Sequence, residues 1–88
     1  MTEVILFEHN DFRGAHKHVF DDEPNLGDPI DSFFNDKVSS IVVVSGEWIF
    51  YRNANFNTPY PRILAPGRYA NVTDVGIQND DMSSLRPL

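Results

Sequence analysis

Short runs of β-branched and aromatic residues, separated by turn-forming residues, are the main pattern of the chain. Residues 4–7 (VILF), 41–44 (IVVV) and 48–51 (WIFY) are three such runs, and the turn 45–47 (SGE) separates the last two. Runs of this length and composition predict β-strands. Prolines and glycines interrupt the middle of each half, which indicates short edge strands and one irregular helical turn there. No long amphipathic helix is supported, so the pattern predicts an all-β protein.

The pattern occurs twice at a constant spacing of 44 residues, which is half of the 88-residue chain. The matching pairs are Phe7 and Tyr51, Phe12 and Phe56, Asn35 and Asn79, Asp36 and Asp80, Ser39 and Ser83, and Ser40 and Ser84. A constant offset indicates two copies of one supersecondary unit. Four short strands in each copy predict a Greek-key β-sandwich of two four-stranded antiparallel sheets.

The length of the chain allows one domain, 1–88, with motif one at about 1–44 and motif two at about 45–88. A domain this small is only marginally stable from packing alone, and the sequence has no cysteine for a disulfide. Because a bound metal ion can stabilise small domains instead, metal-ligand patterns are of particular interest here.

The net charge of −6 disfavours binding to nucleic acid or to anionic membranes, which attract basic proteins. The sequence begins without the basic region of a signal peptide, and no apolar run has the length of a membrane span. We expect a monomer without membrane insertion, and the sequence does not indicate a compartment.

The six-residue stretches 35–40 (NDKVSS) and 79–84 (NDDMSS) carry the candidate chemistry. Each has amide and carboxylate oxygens first, then an apolar residue that can point to the core, then two hydroxyls. Calcium prefers six to eight oxygen ligands of these kinds. One such stretch would be an ordinary polar turn leading into a strand. Two of them at the same place in a repeat favour calcium binding.

The spacing of Phe7, Phe12 and Gly14 resembles the first hairpin of a βγ-crystallin Greek key. Both six-residue stretches are similar to the calcium motif of that superfamily, Asn/Asp-Asn/Asp-x-x-Ser/Thr-Ser. The resemblance covers the whole chain and is closest to the calcium-binding microbial single-domain type. It implies two adjacent calcium sites, with each motif contributing ligands to both ions.

The resemblance also implies the ligands of each site. One site would use the Glu8 carbonyl, Asn35 or Asp36, the Lys37 carbonyl and the Ser83 hydroxyl. The other would use the Arg52 carbonyl, Asn79 or Asp80, the Asp81 carbonyl and the Ser39 hydroxyl. Which of the first two residues in each motif binds directly stays open.

Three positions depart from the family pattern or extend it. Thr58 stands where the family has glycine, so the second hairpin is expected to be strained or differently shaped. Arg52 stands where the family often has an acidic residue, and its positive charge should weaken the second site. Tyr69 follows Pro66-Gly67-Arg68 and resembles the family's tyrosine corner, with a simple core residue as the alternative.

Other residues allow weaker alternatives. His16 and His18 share one face of a predicted strand, and together with His9 they could bind a transition metal. Trp48 is expected to anchor the core. No serine has the glycine pattern of a nucleophile elbow, so an enzyme is not expected.

The sequence therefore predicts a calcium-binding domain in which the ions mainly stabilise the fold. The alternative is a calcium-stabilised interaction or adhesion module that binds a protein or carbohydrate partner.

Overall fold

A computed structural model describes residues 2–24, 26, 38–77 and 82–88. These residues form two antiparallel sheets, which confirms the predicted all-β fold. The strands are β1 (Glu3–His9), β2 (Arg13–Val19), β3 (Ser40–Ser45), β4 (Trp48–Asn53), β5 (Asn57–Leu64), β6 (Gly67–Tyr69) and β7 (Ser84–Pro87). The strand order is β2-β1-β3-β6 in one sheet and β5-β4-β7 in the other. Within the described ranges, no helix is long and apolar enough to cross a membrane.

The two halves complete each other's sheets. Strand β6 belongs to the second half but pairs with β3 of the first half, with Ile41 opposite Tyr69 and Val43 opposite Gly67. In the reverse direction, Glu23 of the first half forms a β-bridge with Leu85 of the second half. The halves therefore cannot separate without breaking main-chain hydrogen bonds in both sheets.

The second sheet differs from the predicted four strands. Its described part has three strands, and the Glu23–Leu85 bridge lies along the outer side of β7. The two residues exchange hydrogen bonds of 2.8 Å and 3.1 Å between their main-chain atoms. The bridge thus has the position that β6 has in the first sheet. Of the two predicted helical turns, the second is a 3-10 helix at Val72–Val75, and the first lies outside the described residues.

The core lies between the sheets and takes alternate residues from β1, β3 and β4. Trp48 is fully buried, and its Nε1 donates a hydrogen bond of 3.0 Å to the Ser45 carbonyl, which confirms it as a core anchor. The other fully buried large side chains are Phe50, Leu6, Leu26, Ile41, Leu64, Ile77, Met82, Leu85, Val4, Val38 and Val72. Val38 and Met82, the apolar fourth residues of the two motifs, are both in this core, as the sequence predicted.

The tyrosine corner is present. The Tyr69 hydroxyl donates a hydrogen bond of 2.6 Å to the carbonyl of Ala65, four residues earlier in the chain. The ring is half-buried and packs against the core. Tyr69 therefore fixes the turn that leads into β6, and it is also a core residue, so both interpretations of the sequence apply.

The β1–β2 and β4–β5 hairpins have the same backbone shape. Asp11 and Phe12 have φ angles of 60° and 61°, and Asn55 and Phe56, 44 positions later, both have 59°. Gly14 has a φ of 82°, and its counterpart Thr58 has 59°. A positive φ is unfavourable for a β-branched residue. The second hairpin thus keeps the shape of the first, and Thr58 is the strained residue that the sequence predicted as one possibility.

Gly14→Ala should destabilise the protein more than Thr58→Ala. A Cβ atom at Gly14 would lie 2.7 Å from His9 Cδ2 and 3.0 Å from Glu8 Oε1, in addition to its unfavourable φ. We expect a loss of about 1–2 kcal/mol from the torsion angle alone. Thr58→Ala keeps a Cβ and loses an exposed methyl group and the hydroxyl, which accepts a 2.9 Å hydrogen bond from Asn53 Nδ2 at the surface. Its cost should stay at or below about 1 kcal/mol.

Urea unfolding of both variants in a chelator would measure these losses without any contribution from bound metal. Equal stability of Gly14→Ala and the parent protein would contradict the assignment of strain at this position.

Candidate metal centre

The structure describes the predicted ligand residues Glu8, Ser39, Arg52 and Ser83. The others, Asn35, Asp36, Lys37, Asn79, Asp80 and Asp81, lie outside the described residues. The structure therefore describes the last three residues of each motif and the hairpin strands beside them.

Ser39 lies where the two halves meet. Its main-chain N–H donates a hydrogen bond of 2.9 Å to the carbonyl of Phe7, the residue before Glu8. Its own carbonyl accepts a hydrogen bond of 3.0 Å from the N–H of Val72, which belongs to the second half. Ser39 is buried, with 5% of its surface exposed. The first motif is thus held by both halves at this residue.

Ser83 has the equivalent position in the second motif. Its N–H donates a hydrogen bond of 3.0 Å to the carbonyl of Tyr51, the residue before Arg52. Its carbonyl accepts a hydrogen bond of 2.8 Å from the N–H of Leu26, which belongs to the first half. The fifth residue of each motif is therefore bonded to its own hairpin strand and also to the other half.

The last serine of each motif fixes the hairpin. The Ser40 hydroxyl donates to the His9 carbonyl at 2.6 Å and accepts from the Phe12 N–H at 3.0 Å. In the same way, the Ser84 hydroxyl donates to the Asn53 carbonyl at 2.5 Å and accepts from the Phe56 N–H at 3.2 Å. Both serines are fully buried.

Sequence reasoning assigned no role to Ser40 and Ser84. The signal that could have found it was their recurrence at the same offset as the hairpin aromatics. The hydroxyls of Ser40 and Ser84 donate and accept hydrogen bonds within the hairpins, so their role is structural. The preceding serines, Ser39 and Ser83, are the ones predicted to be calcium ligands.

Aromatic pairs support the same two hairpins. The rings of Phe7 and Phe12 meet edge to face with centroids 5.6 Å apart, and those of Tyr51 and Phe56 do so at 5.5 Å. This geometry is favourable for aromatic rings. The hairpins are therefore folded back onto their strands next to Glu8 and Arg52, whose carbonyls are predicted ligands.

The electrostatics of the two halves differ. Arg86 lies over the second aromatic pair, with its guanidinium carbon 4.8 Å from the Phe56 ring centroid and 5.7 Å from that of Tyr51. Its Nε also donates a hydrogen bond of 3.1 Å to the Tyr51 hydroxyl. The Arg52 guanidinium lies 5.9 Å from the Tyr60 ring centroid. The β4–β5 hairpin thus has arginines and no carboxylate, whereas the β1–β2 hairpin has three carboxylates, Glu3, Glu8 and Asp11, beside Arg13 and Lys17.

Two of the three histidines lie close together. His16 and His18 lie on the same face of β2 with ring centroids 5.3 Å apart. His9 is opposite Arg13, and its Nε2 lies 3.6 Å from Glu8 Oε1. Among the described residues, no three His, Cys, Asp or Glu side chains are arranged to hold a metal ion. A site built from all three histidines is therefore not formed.

Comparison with known proteins identifies the family to which these features belong. The Beta/Gamma crystallin family profile matches residues 3–88. The chain is 36% identical to Beta/gamma-crystallin of Ciona intestinalis over 86 residues, which cover 98% of each protein. It spans a smaller part of other relatives, such as 44% of Gamma-crystallin A from Bos taurus and 23% of the epidermal differentiation-specific protein of Cynops pyrrhogaster.

Solved structures show the same fold. A βγ-crystallin from an archaeon superposes with a TM-score of 0.85 at 39% identity, covering 99% of this chain and 98% of its own. A transition-metal-ion-binding βγ-crystallin from Methanosaeta thermophila superposes with a TM-score of 0.83 at 37% identity, covering 96% and 98%.

Proposed function

This chain belongs to the Beta/Gamma crystallin family, and we propose that it is a calcium-binding domain with two ions per chain. The observation that carries the proposal is the pair of six-residue motifs at the same place in the repeat. The residues that would hold calcium are Glu8, Asn35 or Asp36, Lys37 and Ser83 for one ion, and Arg52, Asn79 or Asp80, Asp81 and Ser39 for the other.

The chemistry of this donor set fits calcium. It consists of carboxylate, amide, carbonyl and hydroxyl oxygens, which are the ligands of a hard cation with a flexible coordination shell. Magnesium requires a small regular octahedron and loses its water reluctantly, so it fits such an irregular set less well. Each site has few carboxylates, so binding should be weaker than in high-affinity EF-hand proteins.

The main-chain hydrogen bonds of the motifs support a role in stability. Ser39 and Ser83 are each bonded to their own hairpin strand and to a segment of the other half. An ion bound beside them would link the same two halves, and it would also neutralise the negative charge of Asp80 and Asp81 in the second motif. We therefore propose that calcium mainly stabilises the fold and that the domain catalyses no reaction.

Calcium should raise the thermal midpoint by tens of degrees. An ion present at a hundredfold excess over its dissociation constant contributes about 2.7 kcal/mol per site. In a domain of this size, each kcal/mol shifts the midpoint by about 4–8 °C. Differential scanning calorimetry of metal-free protein, with and without saturating calcium, measures the shift. A shift of one or two degrees would mean that the motifs are ordinary turns.

Ser39→Ala should weaken the ion that is held mainly by the second motif. The substitution removes one neutral oxygen that water can partly replace, so we expect a loss on the order of 1 kcal/mol in binding. Combining it with Asp80→Ala should be less than additive, because both changes affect the same ion. Asp36→Ala with Asp80→Ala should weaken both ions.

Residue-resolved NMR during a calcium titration distinguishes the two ions. Ser83→Ala serves as the matched substitution, because it should weaken the ion held mainly by the first motif. If Ser39→Ala left the affinity for the second-motif ion unchanged, Ser39 would not be a ligand of that ion, and the proposal that each motif contributes ligands to both ions would be wrong.

A further inference from the structure

The exposed face of β2 carries two histidines that the calcium motifs do not use. Strand β2 is the outer strand of its sheet, and its residues alternate between the two faces. Val19 is buried, whereas His16 and His18 are exposed on the opposite face, where Phe7 and Ile5 of β1 are their direct neighbours. Both imidazoles are therefore accessible from solvent on one side.

The spacing of the two rings suits a single metal ion. Their centroids lie 5.3 Å apart, with the ring planes at 76° to each other. Two imidazoles bound to one tetrahedral ion through bonds of about 2.0–2.1 Å would have centroids about 5 Å apart. The pair thus has this separation without any movement of the strand.

Glu3 orients one of the rings. Its Oε2 lies 2.7 Å from Nδ1 of His18, and both side chains remain partly exposed. A carboxylate in this position favours the tautomer with the proton on Nδ1, so the lone pair of Nε2 is available for a metal. This is the arrangement in which metal-bound histidines are commonly held, with the carboxylate behind the ring.

Neighbouring aromatic rings restrict the pair on both sides. The Phe7 ring centroid lies 5.9 Å from that of His16, and the Phe20 ring stacks on His18 at 6.3 Å with an interplanar angle of 12°. These contacts reduce the freedom that each imidazole would lose on binding an ion. The two imidazoles are therefore held near the required separation before any ion binds, although they lie at the surface.

From this geometry we infer that His16 and His18 bind one late first-row transition-metal ion, such as Ni²⁺ or Zn²⁺, with Glu3 as a positioning residue. Imidazole nitrogen suits these ions and not calcium or magnesium, which prefer oxygen. Since the site has two protein ligands, water would fill the remaining positions and the ion would exchange readily. The histidine site would share no ligand with the calcium motifs, so each site could be filled without the other.

Calorimetric titration of the full chain with nickel chloride in saturating calcium tests this inference. Calcium occupies the oxygen sites, so nickel bound there would not be counted. We expect one nickel ion per chain. His16→Gln and His18→Gln should each weaken binding by more than tenfold, because each removes a ligand. His9→Gln is the matched control. It should leave the affinity unchanged, because His9 is also exposed but lies at the end of the hairpin, opposite Arg13 in the strand register and away from the histidine pair.

The orienting role of Glu3 has its own test. Glu3→Gln should lower nickel affinity by about ten- to hundredfold, the range typical of a carboxylate behind a metal-bound histidine. Long-range ¹H–¹⁵N spectra of the metal-free protein should show the proton on Nδ1 of His18 in the parent protein and a mixture of tautomers in the variant. Thermal unfolding without metal would verify that every variant is folded.

Several results would overturn the inference. One is the absence of nickel binding to the parent protein. Another is binding that survives His16→Gln and His18→Gln, or that is lost equally with His9→Gln. An unchanged affinity and tautomer in Glu3→Gln would remove Glu3 from the site.

Discussion

The two halves of the domain exchange main-chain pairing, and the completeness of both sheets follows from this exchange. Strand β6 completes the sheet of the first half, and Glu23 bridges to Leu85 in the second. Neither half has a complete sheet without the other, so the domain folds as one unit although its sequence consists of two copies. The two motifs are brought to the same boundary because Ser39 and Ser83 each bond to both halves.

The hairpins depend on a buried polar contact. In each half, one serine hydroxyl ties the turn to the strand, with bonds from 2.5 Å to 3.2 Å that recur 44 residues apart. A buried hydroxyl without partners would be unfavourable, so this contact specifies one turn geometry and no other. It holds Phe12 and Phe56 at positive φ, a conformation that bulky residues seldom adopt. The carbonyls of Glu8 and Arg52 lie in the strand segments that these hairpins fix.

Local patterns predicted much of this fold. The apolar runs became strands, Trp48 became a core anchor, and the Tyr69 hydroxyl bonds to the Ala65 carbonyl. The pairing of β3 with β6 could not be predicted, because it joins residues far apart in sequence and leaves no local signal. The positive φ of Phe12 could not be predicted either, because a bulky aromatic residue rarely adopts this conformation. The histidine pair was visible from its spacing, but the contact between Glu3 and His18 needed the register of β1 and β2.

We propose that the repeat places two calcium sites at the boundary between the halves. Calorimetric titration of metal-free protein with calcium, compared with a parallel titration with magnesium, counts the ions and tests their selectivity directly. We expect two calcium ions per chain and little response to magnesium. A single calcium ion, no binding, or an equal response to both metals would contradict it.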